Sequence, residues 1–181
     1  IALPNSRLDL SGALNQRIDV NLTSRNLNDF LPAENFESSG KPQTSLPVVL
    51  QGGIASVQAQ ITGNLSAPHI TSHIAMKSFA VNPPSAPLTN NQRLFGLFSV
   101  DLAASPSGVV VQNGLLTRRM LHTNFDASIG LRKWSPVPRS PLTANLSMRD
   151  GDLADLLSLA GEASIPASGH VTADVHMGGT Y

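Results

Sequence analysis

The sequence predicts a mostly β fold of antiparallel strands with two short helices. Six stretches alternate strictly between apolar and polar side chains, which gives a strand one dry face and one wet face. Strands covered on both faces, as in parallel sheets, would instead be continuously apolar. Proline-rich segments separate the stretches, and proline is excluded from the interior of a sheet. The alternating stretches are 17–23, 56–62, 98–102, 124–131, 142–148 and 171–177.

A short helical pattern follows the first alternating stretch. Apolar residues in 26–31 recur at i, i+3 and i+4, which is the spacing of one helical face. Asn26 is suited to cap the helix, and Asp29 lies at the third position after the cap. The sequence therefore predicts a helix over 26–31.

The same roles recur near the end of the sequence. In 152–159, Asp152 takes the cap position, Asp155 takes the third position, and leucines form the apolar face. Gly161 is placed to end this second helix. The segments predicted as loops are 38–42, 82–87 and 135–141.

Strand, short helix and glycine-bounded strand occur twice in the same order, which predicts an internal repeat. Gly53 and Gly63 open and close the strand in the first copy, and Gly169 and Gly179 do so in the second. The sequence begins at Ile1 without a Met and ends in a strand-like pattern, so we expect a piece of a longer protein. The prediction is a single segment, 1–181, of a repeat-like β protein with repeat units 1–80 and 125–181 and connecting strands 81–124.

The charge balance predicts no nucleic-acid partner. Twelve Lys and Arg balance twelve Asp and Glu, and charged residues make up 13% of the chain, about half of the usual ~25%. A nucleic-acid surface needs a clustered surplus of cations, and the densest pairs here are Arg118-Arg119 and Arg132-Lys133. The absence of cysteine excludes disulfides, thiolate metal sites and a cysteine nucleophile.

No set of residues in the sequence predicts catalysis, a metal site or a cofactor. His69 and His73 have the spacing of a helical zinc site, but no Glu follows His69 and the surrounding stretch alternates. We therefore predict exposed strand histidines. Asp150, Asp152 and Asp155 do not have the spacing of an EF-hand. Because no nucleophile, base and orienting group can be assembled, we predict that the protein is not an enzyme.

The alternation specifies a dry face but not what covers that face. One possibility is the closed core of a β-sandwich, which the residues alone favour. The other is an open groove, in which Val, Ile, Leu, Met and Ala side chains would solvate acyl chains at roughly 25 cal/mol per Å² of apolar surface.

A family resemblance favours the open groove. Residues 53–70 read Gly-Ile-Ala-Ser-Val-Gln-Ala-Gln-Ile-Thr-Gly-Asn-Leu-Ser-Ala-Pro-His-Ile. They resemble the recurring signature of the AsmA-like superfamily, most of all its TamB branch, in which an alternating strand opened by glycine runs into a Gly-x-Leu-x-x-Pro step. The segment 152–157 is similar to a short helix that follows strands in that family. The likeness covers most of the chain as a pattern rather than as identity.

The resemblance implies a periplasmic segment of a long protein of the Gram-negative envelope, anchored in the inner membrane by a helix outside this sequence. It implies an elongated, open half-pipe of strands, the β-taco, with short capping helices. It further implies that the dry face carries phospholipid acyl chains between the inner and outer membranes in outer-membrane biogenesis. An outer-membrane barrel partner would be contacted through regions outside this sequence. The alternative function is a structural or adhesin-like β scaffold that binds other proteins.

The residues predicted to line the groove occupy the apolar phase of alternating stretches. They are Val57, Ala59, Ile61, Ile70, Ile74, Met76, Phe98, Val100, Leu102, Phe125, Ile129 and Leu146.

Overall fold

The computed structural model describes residues 2–30, 48–64, 66–81, 93–160 and 165–181. Within these residues, ten strands pair in sequence order to form one antiparallel sheet. The strands are β1 (Ala2–Leu3), β2 (Ser6–Ala13), β3 (Arg17–Ser24), β4 (Val48–Thr62), β5 (His69–Val81), β6 (Arg93–Ser105), β7 (Gly108–Arg118), β8 (Leu121–Gly130), β9 (Pro141–Asp152) and β10 (His170–Thr180). A 3₁₀ helix spans Leu27–Phe30, and the α-helix α1 spans Leu153–Ala160.

The predicted mostly β, antiparallel fold is confirmed, and every alternating stretch lies in a strand apart from the last residue of 124–131. The sheet is open, with β1 and β10 at its two edges, as in a half-pipe. The closed sandwich, which the residues alone favour, is wrong. Each strand pairs with its neighbours in sequence, so within the described residues no strand returns to form a second layer.

Both predicted helices form, and their caps are confirmed. The backbone N–H of Asn28 donates to Asn26 Oδ1 over 3.1 Å, and that of Ala154 donates to Asp152 Oδ1 over 2.8 Å. The first helix is a single 3₁₀ turn rather than an α-helix. The predicted positions Leu31 and Gly161 lie outside the described residues, as do the loops 38–42 and 82–87.

Of the four glycines predicted to bound strands, two lie at strand ends and two do not. Gly63 directly follows β4 and Gly169 directly precedes β10, as predicted. Gly53 does not open a strand and Gly179 does not close one, because both lie inside strands. The strand before Gly63 is longer than its alternating part, since β4 continues through an irregular segment that breaks the period of two.

Bulges interrupt three of the long strands and bend the sheet. The register shifts between Leu50 and Ile54 in β4, and between Val111 and Gly114 in β7. Gly52 and Asn113 lie within these shifts, with φ of 66° and 52°. The third register shift occurs in the β9–β10 pair, between Val171 and Ala173, next to Asp150 of β9. The φ of Asp150 is 53°. Extra residues with positive φ increase local twist and curvature, which is how a sheet of long strands becomes a trough.

Candidate functional site

The register of the sheet places the apolar phase of its strands on one face, which we call the apolar face. Residues directly opposite each other in antiparallel strands point to the same side, so the pairing can be followed from strand to strand. The side chains form rows that cross the strands. The first row contains Ile18, Ile61, Ile70, Ala104, Val109, Ile129 and Leu142.

All twelve residues that the sequence predicts for the groove lie on the apolar face. Several are direct cross-strand partners, which pack against one another along the rows. The direct pairs are Ile61 with Ile70, Val57 with Ile74, Ile74 with Val100, Met76 with Phe98, and Phe125 with Leu146. Ala59 and Leu102 both pair with Ser72 and therefore share another row, whereas Ile129 lies in the first row.

Two strands that the alternating stretches do not include, β2 near one edge and β7 within the sheet, also contribute to the apolar face. In β2, Leu8 and Leu10 pair with Leu22 and Val20 of β3. Leu8 and Leu10 alternate with polar residues, so this strand can be predicted from the periodicity of the sequence. In β7 the signal is hidden, because the bulge at Asn113 changes the phase of the apolar residues from odd to even positions.

The apolar face is largely open. Val100 is buried, with 5% of its surface exposed, whereas Leu146, Val175 and Met177 expose 37%, 47% and 58%. Most other side chains of the face are half-buried. Within the described residues, the 3₁₀ helix contacts β4 and α1 contacts β9, and no second sheet covers the middle of the face.

Two phenylalanines stack near the middle of the apolar face. The ring centroids of Phe98 and Phe125 lie 6.1 Å apart, with the planes 25° from parallel. Gly114 makes room for this arrangement, because a Cβ atom there would lie 2.5 Å from both Cε2 and the backbone oxygen of Phe125. The glycine therefore lets the Phe125 ring lie directly over the backbone of β7.

Helix α1 lies against one end of the sheet through a buried ion pair. Arg118 Nε donates to Asp155 Oδ2 over 2.9 Å, and Arg118 Nη2 donates to Asp155 Oδ1 over 2.9 Å. Both side chains are at least nine-tenths buried. The guanidinium also lies over the ring of Phe95, 5.6 Å from its centroid. Asp155, predicted only as the third residue of a capped helix, thus holds α1 to β7.

Asp29, the matching residue of the first helix, has a similar tertiary role. Its carboxylate accepts hydrogen bonds from the Ser6 hydroxyl over 2.8 Å and from the backbone N–H of Asn5 over 2.9 Å. These bonds, that from Ser6 foremost, lower the pKa of Asp29 below its usual range. Each helix is therefore fastened to a strand or turn by the aspartate that lies three positions after its cap.

The opposite face of the sheet is polar and carries side-chain hydrogen bonds between strands. Asn113 Nδ2 donates to Asp101 Oδ2 over 2.8 Å, and His73 Nδ1 lies 2.6 Å from Asp101 Oδ1. These two contacts, that of Asn113 foremost, lower the pKa of the Asp101 carboxyl. A similar cluster joins Asp126 and Asn145 on β8 and β9, with an Nδ2–Oδ2 distance of 2.6 Å.

The polar face is concave, which the sequence reasoning missed. A groove of about 710 Å³ runs over β2 to β7, and its lining includes Arg17, Gln58 and His73. His69 and His73 are exposed residues of β5, as predicted. Within the part of the chain that the structure describes, no three His, Cys, Asp or Glu side chains are grouped so as to hold a metal ion.

The structure presents no transmembrane helix among the residues it describes. No family model matches the sequence, and comparisons with curated proteins and with solved structures find no similar protein.

Proposed function

We propose that this protein is a segment of a hydrophobic groove that carries phospholipid acyl chains, of the kind found in TamB and other AsmA-like envelope proteins. The observation that supports the proposal is the apolar face itself, which continues from β2 to β10 and consists mostly of half-buried and exposed side chains. Single exposed apolar side chains are ordinary, but a contiguous apolar surface marks a site of binding.

The dimensions of the apolar face suit an acyl chain. Neighbouring strands are about 4.8 Å apart, so nine intervals between ten strands span roughly 40 Å. One leaflet of a bilayer has a hydrocarbon thickness of about 15 Å. A chain lying along the rows would therefore cross several strands and still have room to move along the sheet.

The chemistry of the rows suits transport rather than fixed binding. The side chains of the first row are aliphatic, so they remove acyl surface from water without hydrogen bonds that would fix one position. A non-directional surface lets a bound chain slide from one strand to the next. We place this activity in the periplasm, between the inner and outer membranes, with the membrane anchor and any contact with an outer-membrane barrel partner outside this sequence. Neither a cofactor nor catalysis is part of the proposal.

The experiment that tests the proposal measures phospholipid bound to the protein. The 181-residue chain is exported to a bacterial periplasm, purified, and analysed by mass spectrometry for bound lipid. We expect phospholipid with the wild type and little with Ile61→Asp, because a carboxylate in the first row must recruit water or take up a proton. Gln58→Asp is the matched control, since it adds the same charge to the opposite face of β4 and should leave lipid occupancy unchanged.

Thermal melting distinguishes a lining residue from a core residue. Ile61 is only half-buried, so the Ile61→Asp variant should melt close to the wild type. In a covered core, an unpaired charge would cost several kcal/mol of a total of about 5–15 kcal/mol and would unfold the chain. A wild-type protein without lipid, or equal lipid occupancy in Ile61→Asp, would contradict the proposal and favour a β scaffold that binds other proteins.

A further inference from the structure

A cationic loop, residues 131–140, connects β8 to β9. It contains Arg132, Lys133 and Arg139 and no acidic residue. All three cations are exposed, and none forms an ion pair within the described residues. By contrast, the exposed arginines of the polar face each contact an aspartate. In a chain of zero formal charge, the loop is therefore a local patch of uncompensated positive charge.

The cationic loop is fixed in a strained backbone conformation. Lys133, Trp134 and Arg139 have φ of 52°, 68° and 72°, a region that non-glycine residues seldom adopt. Arg132 and Ser135 hold the turn by exchanging two backbone hydrogen bonds, of 2.8 and 3.1 Å. Strain of this kind persists only where the surrounding structure fixes it, and it is concentrated at binding sites.

The loop borders the first row of the apolar face. It begins just after Ile129 and ends just before Leu142, and these two residues are direct partners in that row. The backbone N–H of Trp134 donates to the carbonyl of Pro106 over 3.2 Å, which ties the loop to the β6–β7 turn. Trp134 is 41% exposed, and tryptophan is an aromatic residue that favours boundaries between apolar and aqueous surroundings.

An apolar face with a cationic edge is complementary to an anionic amphiphile. Arginine and lysine form charge-assisted hydrogen bonds with phosphate oxygens, and these cations have no carboxylate to satisfy them in the described structure. We infer that the cationic loop binds the headgroup of an anionic phospholipid whose acyl chain lies on the apolar face. The inference rests on the proposed lipid-carrying function and adds selectivity for net negative headgroups.

The test measures which lipid the protein takes up from vesicles of phosphatidylcholine and phosphatidylglycerol in equal amounts. Delipidated protein is incubated with the vesicles and recovered, and its bound lipid is quantified by mass spectrometry. We expect the wild type to prefer phosphatidylglycerol by on the order of 10-fold at low salt, with the preference falling as salt screens the charges. Trp134, the only tryptophan in the sequence, should shift its fluorescence emission to shorter wavelength on loading.

The test variant replaces all three loop cations, as Arg132→Gln, Lys133→Gln and Arg139→Gln. It should keep its total bound lipid but lose the preference for phosphatidylglycerol. The control variant removes the same charge from the polar face, as Arg7→Gln, Arg17→Gln and Arg149→Gln, and should keep the preference. Bound lipid without a preference in the wild type, or a preference that survives in the loop variant or is lost in the control, overturns this inference alone. Absence of lipid from every protein overturns the proposed function as well.

Discussion

Arg118 and Asp155 form a bidentate ion pair that is almost completely buried where β7 meets α1. Arg119 also approaches this carboxylate, with its Nη1 3.5 Å from Asp155 Oδ1, but its own side chain is 77% exposed. One buried carboxylate thus serves two arginines of unequal burial. We therefore expect the replacement of Asp155 and the replacement of Arg118 to change the free energy of unfolding by different amounts.

We predict that Asp155→Ala destabilises the protein more than Arg118→Ala. Removal of Asp155 leaves the buried Arg118 guanidinium unpaired, which costs about 3–5 kcal/mol. Removal of Arg118 leaves Asp155 beside Arg119, which retains part of the attraction. The free energy of unfolding from urea titration measures both.

A double replacement serves as the control for this buried pair. Arg118→Met combined with Asp155→Leu removes both charges together and should be closer to the wild type than Asp155→Ala, because no charge is left buried alone. If Arg118→Ala is the most damaging of the three, the inequality between the two residues is wrong.

The alternation of side chains predicted most of this fold because it depends only on local geometry. Ile18, Val20 and Leu22 must share a face in any extended conformation, and they do. The predicted groove residues within each strand share a face for the same reason, and the register of strand pairing brings these faces to one side of the sheet. The strand β7 was missed because Asn113 adds one residue to the period, and a bulge leaves no trace in a search for strict alternation.

Other features could not be read from the sequence because they depend on distant residues. Whether a dry face is covered is decided by how strands pair, and the sequential pairing of β1 to β10 leaves this one open. Asp29 and Asp155 were placed correctly within helices, but their partners Ser6 and Arg118 lie 23 and 37 positions away. The concavity of the polar face arises from bending of the sheet, which has no local signature.

The positive φ of Asn113 at the β7 bulge predicts which residues this position accepts. A left-handed backbone is easy for glycine, acceptable for asparagine and costly for a β-branched residue. Asn113→Val should therefore lower the free energy of unfolding by roughly 1–3 kcal/mol, and Asn113→Gly should lower it less. Gln112→Val is the control at the neighbouring position, where valine suits an extended strand. Equal losses in Asn113→Val and Gln112→Val would show that φ at the bulge does not limit the choice of residue.

The lowered pKa of Asp101 predicts a loss of stability in acid. A carboxyl whose folded pKa is depressed stabilises the fold above its unfolded pKa of about 3.9, and this contribution disappears as pH falls through the folded pKa. The Asp101→Asn variant should therefore show a flatter dependence of unfolding free energy on pH below about 4.

The hydrogen bond from Asn113 is the largest cause of the shift, so Asn113→Gly should move the pKa of Asp101 back towards its usual value. NMR titration of the Asp101 carboxyl measures this directly. An unchanged pKa in Asn113→Gly would contradict the assignment of the cause.

Adjacent residues of β6 provide a direct measurement of what the apolar face contacts in the cell. Phe98 lies on the apolar face beside Phe125, whereas Ser99, the next residue, points to the polar face. A photo-crosslinking phenylalanine analogue at position 98 should form adducts with phospholipid, and the same analogue at position 99 should give only background labelling. The two probes occupy consecutive positions of one strand, so the main difference between them is the face of the sheet to which each side chain points. Adducts with a protein at position 98 would favour the β scaffold, and equal lipid labelling at both positions would show that lipid does not select the apolar face.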